Sequence, residues 1–288
     1  MKYYVLCILL LALGGCASKR QSGFESSDSV SSLNDKEAQA LKVQAKKFWA
    51  NRHIKAELEQ SINTWEKLSR TDKADRETFQ ALTHAYYLLA DAHEEDLELR
   101  KSLWEKGALF GEKAMAQNPQ FADNMNNKKT LEESLSLLSK DDAASMYWTA
   151  ANLGKWAKFS GIATQLKYKG RIKALVEGVE RVNPAFFHGA VQRYWGGYYS
   201  VAPSFAGGDM NKSLKAFTAS IEQAPAYLGT KVLMAEVYYT KKQDKKAFEA
   251  TLKEVLATSD SISKELMPEN VLEKKKAQNL LKKIDELF

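Results

Sequence analysis

The chain has 288 residues, of which 44% are apolar and 27% charged, with a formal net charge of +6. This length and apolar content support one large hydrophobic core or two smaller ones and exclude a disordered polyelectrolyte. Lysines are interleaved with acids along most of the chain, the pattern of a solvated helical surface and not of a nucleic-acid patch, so no nucleic-acid partner is expected.

The first residues read as an export signal. Lys2 precedes an apolar run from Val5 to Leu13, which is followed by Gly14-Gly15-Cys16. Such a run is too short to cross about 30 Å of hydrocarbon as a stable helix, and it has the form of a bacterial secretory signal over residues 1–15. Leu13-Gly14-Gly15-Cys16 also looks like a lipobox, which makes Cys16 the expected site of diacylglycerol and palmitate attachment; the alternative is an ordinary signal with a chance cysteine. Two or more acyl chains hold a protein stably at a bilayer. Ala17, not an aspartate, follows the cysteine. In a diderm bacterium that resembles lipoproteins sent to the periplasmic face of the outer membrane. The only other cysteine, Cys7, would leave with the signal. No thiol then remains for a disulfide, a nucleophile or a zinc-thiolate site.

Residues 17–33, ASKRQSGFESSDSVSSL, are serine-rich and poor in apolar side chains. They cannot bury enough surface to fold and are expected to form a flexible tether, so that residues 16–33 are linker and 34–288 the folded domain. From Asn34 onward the pattern is helical. Ile54, Leu58, Ile62, Trp65 and Leu68 recur at three- and four-residue steps, and strand-type alternation is absent. Ten to twelve helices joined by short turns are expected, an all-α fold.

The helical segment carries degenerate repeats. GALFGEKAMAQNP (107–119), IKALVEGVERVNP (172–184) and SLKAFTASIEQAP (213–225) each bear a small or apolar stripe and stop at proline. This resembles the second helix of a tetratricopeptide repeat. Thr83 before Tyr86 and Ala235 before Tyr238 match the first helix, where a small residue admits the neighbouring helix. The spacing is irregular, which predicts inserted helices. A generic helical bundle is the alternative. Asn270 to Phe288 predicts a lysine-rich amphipathic helix that caps the stack with a polar outer face.

Candidates for chemistry are few. In YWGGYYSVAPSFAGGDMNKSL (194–214), Lys212-Ser213 follows Asn211 and not glycine, and no strand precedes it, so a phosphate-cradling loop is excluded. Gly207-Gly208-Asp209 predicts a turn, with Asp209 or Asn211 capping the next helix. Trp195-Gly196-Gly197-Tyr198 predicts the end of a helix or a kink in it. Tyr194, Trp195, Tyr198, Tyr199 and Phe205 around it either fill a core or line a pocket. His93-Glu94-Glu95 lacks the second histidine of a zinc-protease helix, and each of His53, His84, His93 and His188 reads as a surface or satisfied core residue. Asp141-Asp142 and Glu94-Glu95 lie in charged stretches expected to be exposed. No G-x-S-x-G elbow is present, and no enzyme activity, metal or cofactor is expected.

Three blocks then carry a resemblance: AASMYWTAANLGKWAKFSGI (143–162), the stretch from FFHGAVQRYWGGYY to MAEVYY (186–239), and MPENVLEKKKAQNLL (267–281). Together they resemble the T component of tripartite ATP-independent periplasmic (TRAP) transporters. The resemblance implies an all-helical tetratricopeptide-like lipoprotein that is not an enzyme. It implies association with the solute-binding P component of a TRAP system, a homo-oligomer such as a trimer, and passage of an apolar ligand through a cleft. Trp148, Trp156, Tyr194, Trp195, Tyr198 and Phe205 become the candidates for lining that cleft. The competing reading is a structural outer-membrane scaffold without a ligand.

Overall fold

The computed structural model describes residues 20–24, 30–259 and 262–288. The expected signal segment 1–15 and Cys16 lie outside the described residues. The fold is all-α; among the described residues the only bridge is Ser31 with Thr71, and no helix is long and apolar enough to cross a membrane.

The helices in chain order are α1 (Asp35–Trp49), α2 (Lys55–Ser69), α3 (Arg76–Leu88), α4 (Leu97–Met115), α5 (Pro119–Asn126), α6 (Leu131–Ser134), α7 (Ala143–Phe159) and α8 (Ile162–Val182). Then follow α9 (Phe186–Val201), α10 (Met210–Gln223), α11 (Gly229–Leu233), α12 (Thr240–Lys242), α13 (Lys245–Ala257), α14 (Met267–Lys282) and α15 (Ile284–Leu287). Side-chain caps set many of the starts. Asn34, Asp75, Asp96, Asn118, Asp209 and Asp244 each accept a hydrogen bond from a first-turn N–H, satisfying donors the helix itself leaves free. Asn118-Pro119 thus opens α5 as well as following α4. Ile54 sits at the N-cap of α2, 48% exposed, while Leu58, Ile62, Trp65 and Leu68 bury as the periodicity predicts.

Sequential helices pack as hairpins: α1 with α2, α3 with α4, α7 with α8 and α9 with α10. Helix α4 also packs along α7. Small residues make this approach close. A Cβ on Gly111 would lie 1.9 Å from Thr149 Oγ1 and 2.8 Å from Thr83 Oγ1. The Thr83 hydroxyl donates to the Gly107 carbonyl, and Asn152 Nδ2 donates to the carbonyls of Thr83 and Trp148 at 2.9 and 2.8 Å. Thr83 therefore stands where α3, α4 and α7 meet.

Four expectations change. Arg20–Phe24 is docked: Arg20 makes a two-pronged ion pair with Glu112 at 2.8 and 2.9 Å, Gly23 N donates to the same carboxylate at 2.7 Å, and Phe24 packs on Phe121. Asp142 is buried, accepting from Ser139 N at 3.0 Å and facing Arg76 Nε at 3.1 Å. Helix α9 runs straight through Gly196-Gly197 to Val201 and kinks instead at residues 187–189. The closing helix begins earlier than expected, at Met267, and it also contributes Lys276 and Glu273 to an internal cavity.

Candidate functional site

The cavity has a volume of about 450 Å³ and lies where α3, α7, the start of α9, the α11–α12 segment and α14 converge. Two irregular stretches of helix line it. Helix α3 continues into a π-helical turn, Leu89–His93, and α11 into another, Met234–Tyr239. Each carries an acid, Asp91 and Glu236, that lines the cavity. A π turn inserts one residue into the helical ladder and recurs at functional sites.

One wall is aromatic. The His84 ring stacks on Trp148 with centroids 3.7 Å apart and planes at 11°. Phe187 stands edge-on to both, at 5.3 and 4.9 Å. Tyr87 lies 5.3 Å from Trp148, and Tyr227 lies 5.8 Å from Phe187. Phe187 reaches this position through three consecutive left-handed residues, Phe187 at φ 41°, His188 at 55° and Gly189 at 74°. For residues with a Cβ that conformation costs roughly 1–2 kcal/mol each. Buried Arg193 secures the bend: Nη1 donates to His188 O at 2.9 Å and Thr230 Oγ1 at 3.3 Å, Nη2 to Phe187 O at 3.4 Å. Its guanidinium lies 4.5 Å over the Tyr227 ring.

The rest of the lining is ionic, and Lys155 Nζ lies 6.0 Å from the centre of the Tyr87 ring. Lys155 pairs with Asp91, and Lys276 pairs with Glu236 at 3.0 Å. Burial pushes the Asp91 carboxyl up, but Lys155, Lys276 and Arg100 outweigh it and hold it well below the usual range. Lys276 lowers Glu236 in the same way, against burial. Burial works against the Lys276 charge, yet Glu236, Asp91 and Glu273 keep it firmly protonated. Glu273 differs from the other two acids. Burial raises its pKa, which Lys276 only partly offsets, and it has no ion pair among the described residues. The cavity is thus amphipathic, lined by aromatic faces, two ion pairs and one carboxyl without a cation bonded to it.

The six aromatic candidates separate. Trp148 lines the cavity. Trp195, Tyr198 and Phe205 line a different feature, an open groove of about 960 Å³ between α8, α9 and α10. Tyr194 is wedged against Trp195 and Tyr198, with centroids at 5.2 and 6.2 Å. Trp156 is buried edge-on to Tyr168 at 5.2 Å. Neither Tyr194 nor Trp156 lines the cavity or the groove. The residues missed from sequence are His84, Asp91, Phe187, Arg193, Glu236 and Lys276. Two had a signal: Asp91 and Glu236 are single acids inside the apolar runs YYLLADA and VLMAEVYY.

Burial, with a smaller contribution from Arg52, holds the His84 pKa well below 6.5. The folded state therefore binds fewer protons than the unfolded state once pH falls below about 6.5, and stability falls with it. Urea midpoints measured from pH 7.5 to 5 should decline, with a His84 contribution of at most about 1.4 kcal/mol per pH unit. The His84→Gln protein should lack that portion of the slope.

Among the described residues no group of three or more acids, histidines or cysteines is placed to hold a metal ion. The body is all-helical, built of packed hairpins around an amphipathic cavity. The family model of the TRAP transporter T component matches residues 54–288, and the chain belongs to that family. Its role is accordingly that of an accessory component of TRAP transport. A comparison with curated protein sequences returns no match.

Proposed function

We propose that this T component is held at the envelope membrane by a lipid on Cys16, associates with the solute-binding P subunit, and passes an amphipathic solute through its cavity. The observation carrying the reading is the cavity itself, lined by His84, Trp148 and Phe187 together with the Asp91–Lys155 and Glu236–Lys276 pairs. The wall composition favours a solute with an apolar body and a polar head over the wholly apolar ligand expected from sequence. Apolar contact with the aromatic faces supplies affinity, and the few polar groups fix orientation. Docking of the P subunit would carry the solute onward, since a helix able to cross the bilayer is absent among the described residues.

A direct test uses intrinsic fluorescence. Laurate and dodecylamine, which share a tail and differ in head charge, are titrated into the purified protein. At least one should quench tryptophan emission saturably, and Phe187→Ala, which leaves every tryptophan in place, should weaken binding at least tenfold while near-ultraviolet dichroism shows intact packing. Equal binding by Phe187→Ala would remove the cavity from the proposal. Mixing with purified P subunit in sedimentation velocity tests the association separately.

A further inference from the structure

The open groove has an apolar rim that the fold leaves uncovered. Phe205 is 93% exposed, although the turn bearing it is firmly braced. Tyr198 Oη and Lys169 Nζ both donate to Ala206 O, at 2.7 and 3.1 Å. Gly208 N donates to Pro203 O at 2.9 Å and Asp209 N to Tyr199 O at 3.0 Å. Gly207 supplies the left-handed residue at φ 95°, and a Cβ on Gly208 would stand 1.8 Å from Ala202 O. A phenyl ring held in water on a rigid turn gains nothing for the fold. Ile162 and Leu166, 70% and 69% exposed, stand one turn apart on α8 and lead along it to Lys169.

The groove is also basic. Lys169, Lys212 and Lys215 line it, and among the described residues none has a carboxylate partner within ion-pair distance. Its two acids are engaged: Glu177 pairs with Lys173 at 3.1 Å, and Glu180 accepts from Trp195 Nε1 at 3.2 Å. Asp209, at the N-cap of α10, offsets part of the charge on Lys212 and Lys215, but four lysines against two acids leave the lining net positive.

We infer that this groove is a docking surface for an acidic face of a partner protein, with Phe205 as the apolar anchor and Lys169, Lys212 and Lys215 as the charged rim. Charge complementarity selects the partner. A second copy presenting the same groove would bring like charges together on a chain already at +6. A bilayer surface is too broad to enter a recess of about 960 Å³ between α8 and α10. Anchors of this kind fill a pocket on the partner and dominate affinity, while rim charges steer encounter and make it salt-dependent. The inference rests on the reading that a P subunit associates with this protein, and it gives that association a location separate from the cavity.

The test measures affinity of the full chain for purified P subunit, by interferometry at 50 and 300 mM NaCl. Phe205→Asp should weaken binding at least tenfold. Lys212→Glu/Lys215→Glu should weaken it at low salt and flatten the salt dependence. Lys253→Glu, an exposed position on α13 outside both cavity and groove, should bind like wild type. Wild-type affinity in the groove variants overturns the inference and leaves the association standing. Failure of the wild type to bind overturns the association, and the inference with it. Two controls identify a different occupant and would equally overturn it. One is sedimentation with vesicles containing 30% phosphatidylglycerol that Phe205→Asp abolishes; the other is a wild-type oligomer that the same substitution dissociates.

Discussion

Arg20→Ala is expected to lower the free energy of unfolding by about 3 kcal/mol, read as a fall in urea midpoint at unchanged slope. Arg20 and Glu112 keep 2% and 1% of their side-chain surface accessible. Burial opposes the charge on Arg20, yet attraction to Glu112 and the paired hydrogen bonds more than restore it. Two such charges joined in place contribute little net stability over an apolar pair, because both lose hydration. Removing one partner leaves the other buried and uncompensated, which is the larger effect. Glu112 would keep the Gly23 amide at 2.7 Å and Arg171 at 3.7 Å, which holds the loss to the lower end of the usual range. Replacing Lys73, whose partner Asp35 is exposed, should leave the midpoint where it is. A wild-type midpoint for Arg20→Ala would mean that Arg20–Phe24 leaves the body in solution.

The second large effect separates two adjacent glycines. Gly196→Ala should destabilise the protein by about 1–3 kcal/mol, the usual cost of inserting a methyl into a packed core. Gly197→Ala should stabilise it by up to about 1 kcal/mol, the gain in helix propensity. A Cβ on Gly196 would meet Phe217 ring carbons at 2.7–2.9 Å, and Phe217 is completely buried. A Cβ on Gly197 meets only Leu233 Cδ2, at 3.7 Å. Both residues are helical, so propensity favours alanine at each and only packing distinguishes them. Thermal or urea unfolding of the two variants decides the matter, and equal shifts would rule out the Phe217 contact as the reason for glycine.

That pair also shows what could be read from sequence. The all-α class followed from periodicity, and the cap of α10 was narrowed to Asp209 or Asn211 by polar side chains after two glycines, with Asp209 taking it in the structure. Both depend on residues within a turn of one another. The glycine pair misled because glycine fits a bend and a close contact equally well, and Phe217 lies twenty-one residues further on. The true bend, at residues 187–189, has only a faint local signal: His188 and Gly189 tolerate left-handed backbone, but Phe187 does not. It is held by Arg193 together with Thr230 from a later helix. The aromatic candidates divided between cavity and groove for a related reason: α9 places Trp195 and Tyr198 outward toward α8 and α10, while its kinked first turn aims Phe187 the other way. Nothing in the clustering of rings along the chain distinguishes those directions.

The docking of Arg20 also sets a length. Only Ala17, Ser18 and Lys19 separate it from Cys16, and four extended Cα steps span at most about 14 Å. A lipid on Cys16 would then moor the body on a leash shorter than its own radius. The edge of α4 would ride at the bilayer, free to swivel but unable to range across the envelope. Any exchange of solute would have to take place at that membrane, with the mobile partner making the journey.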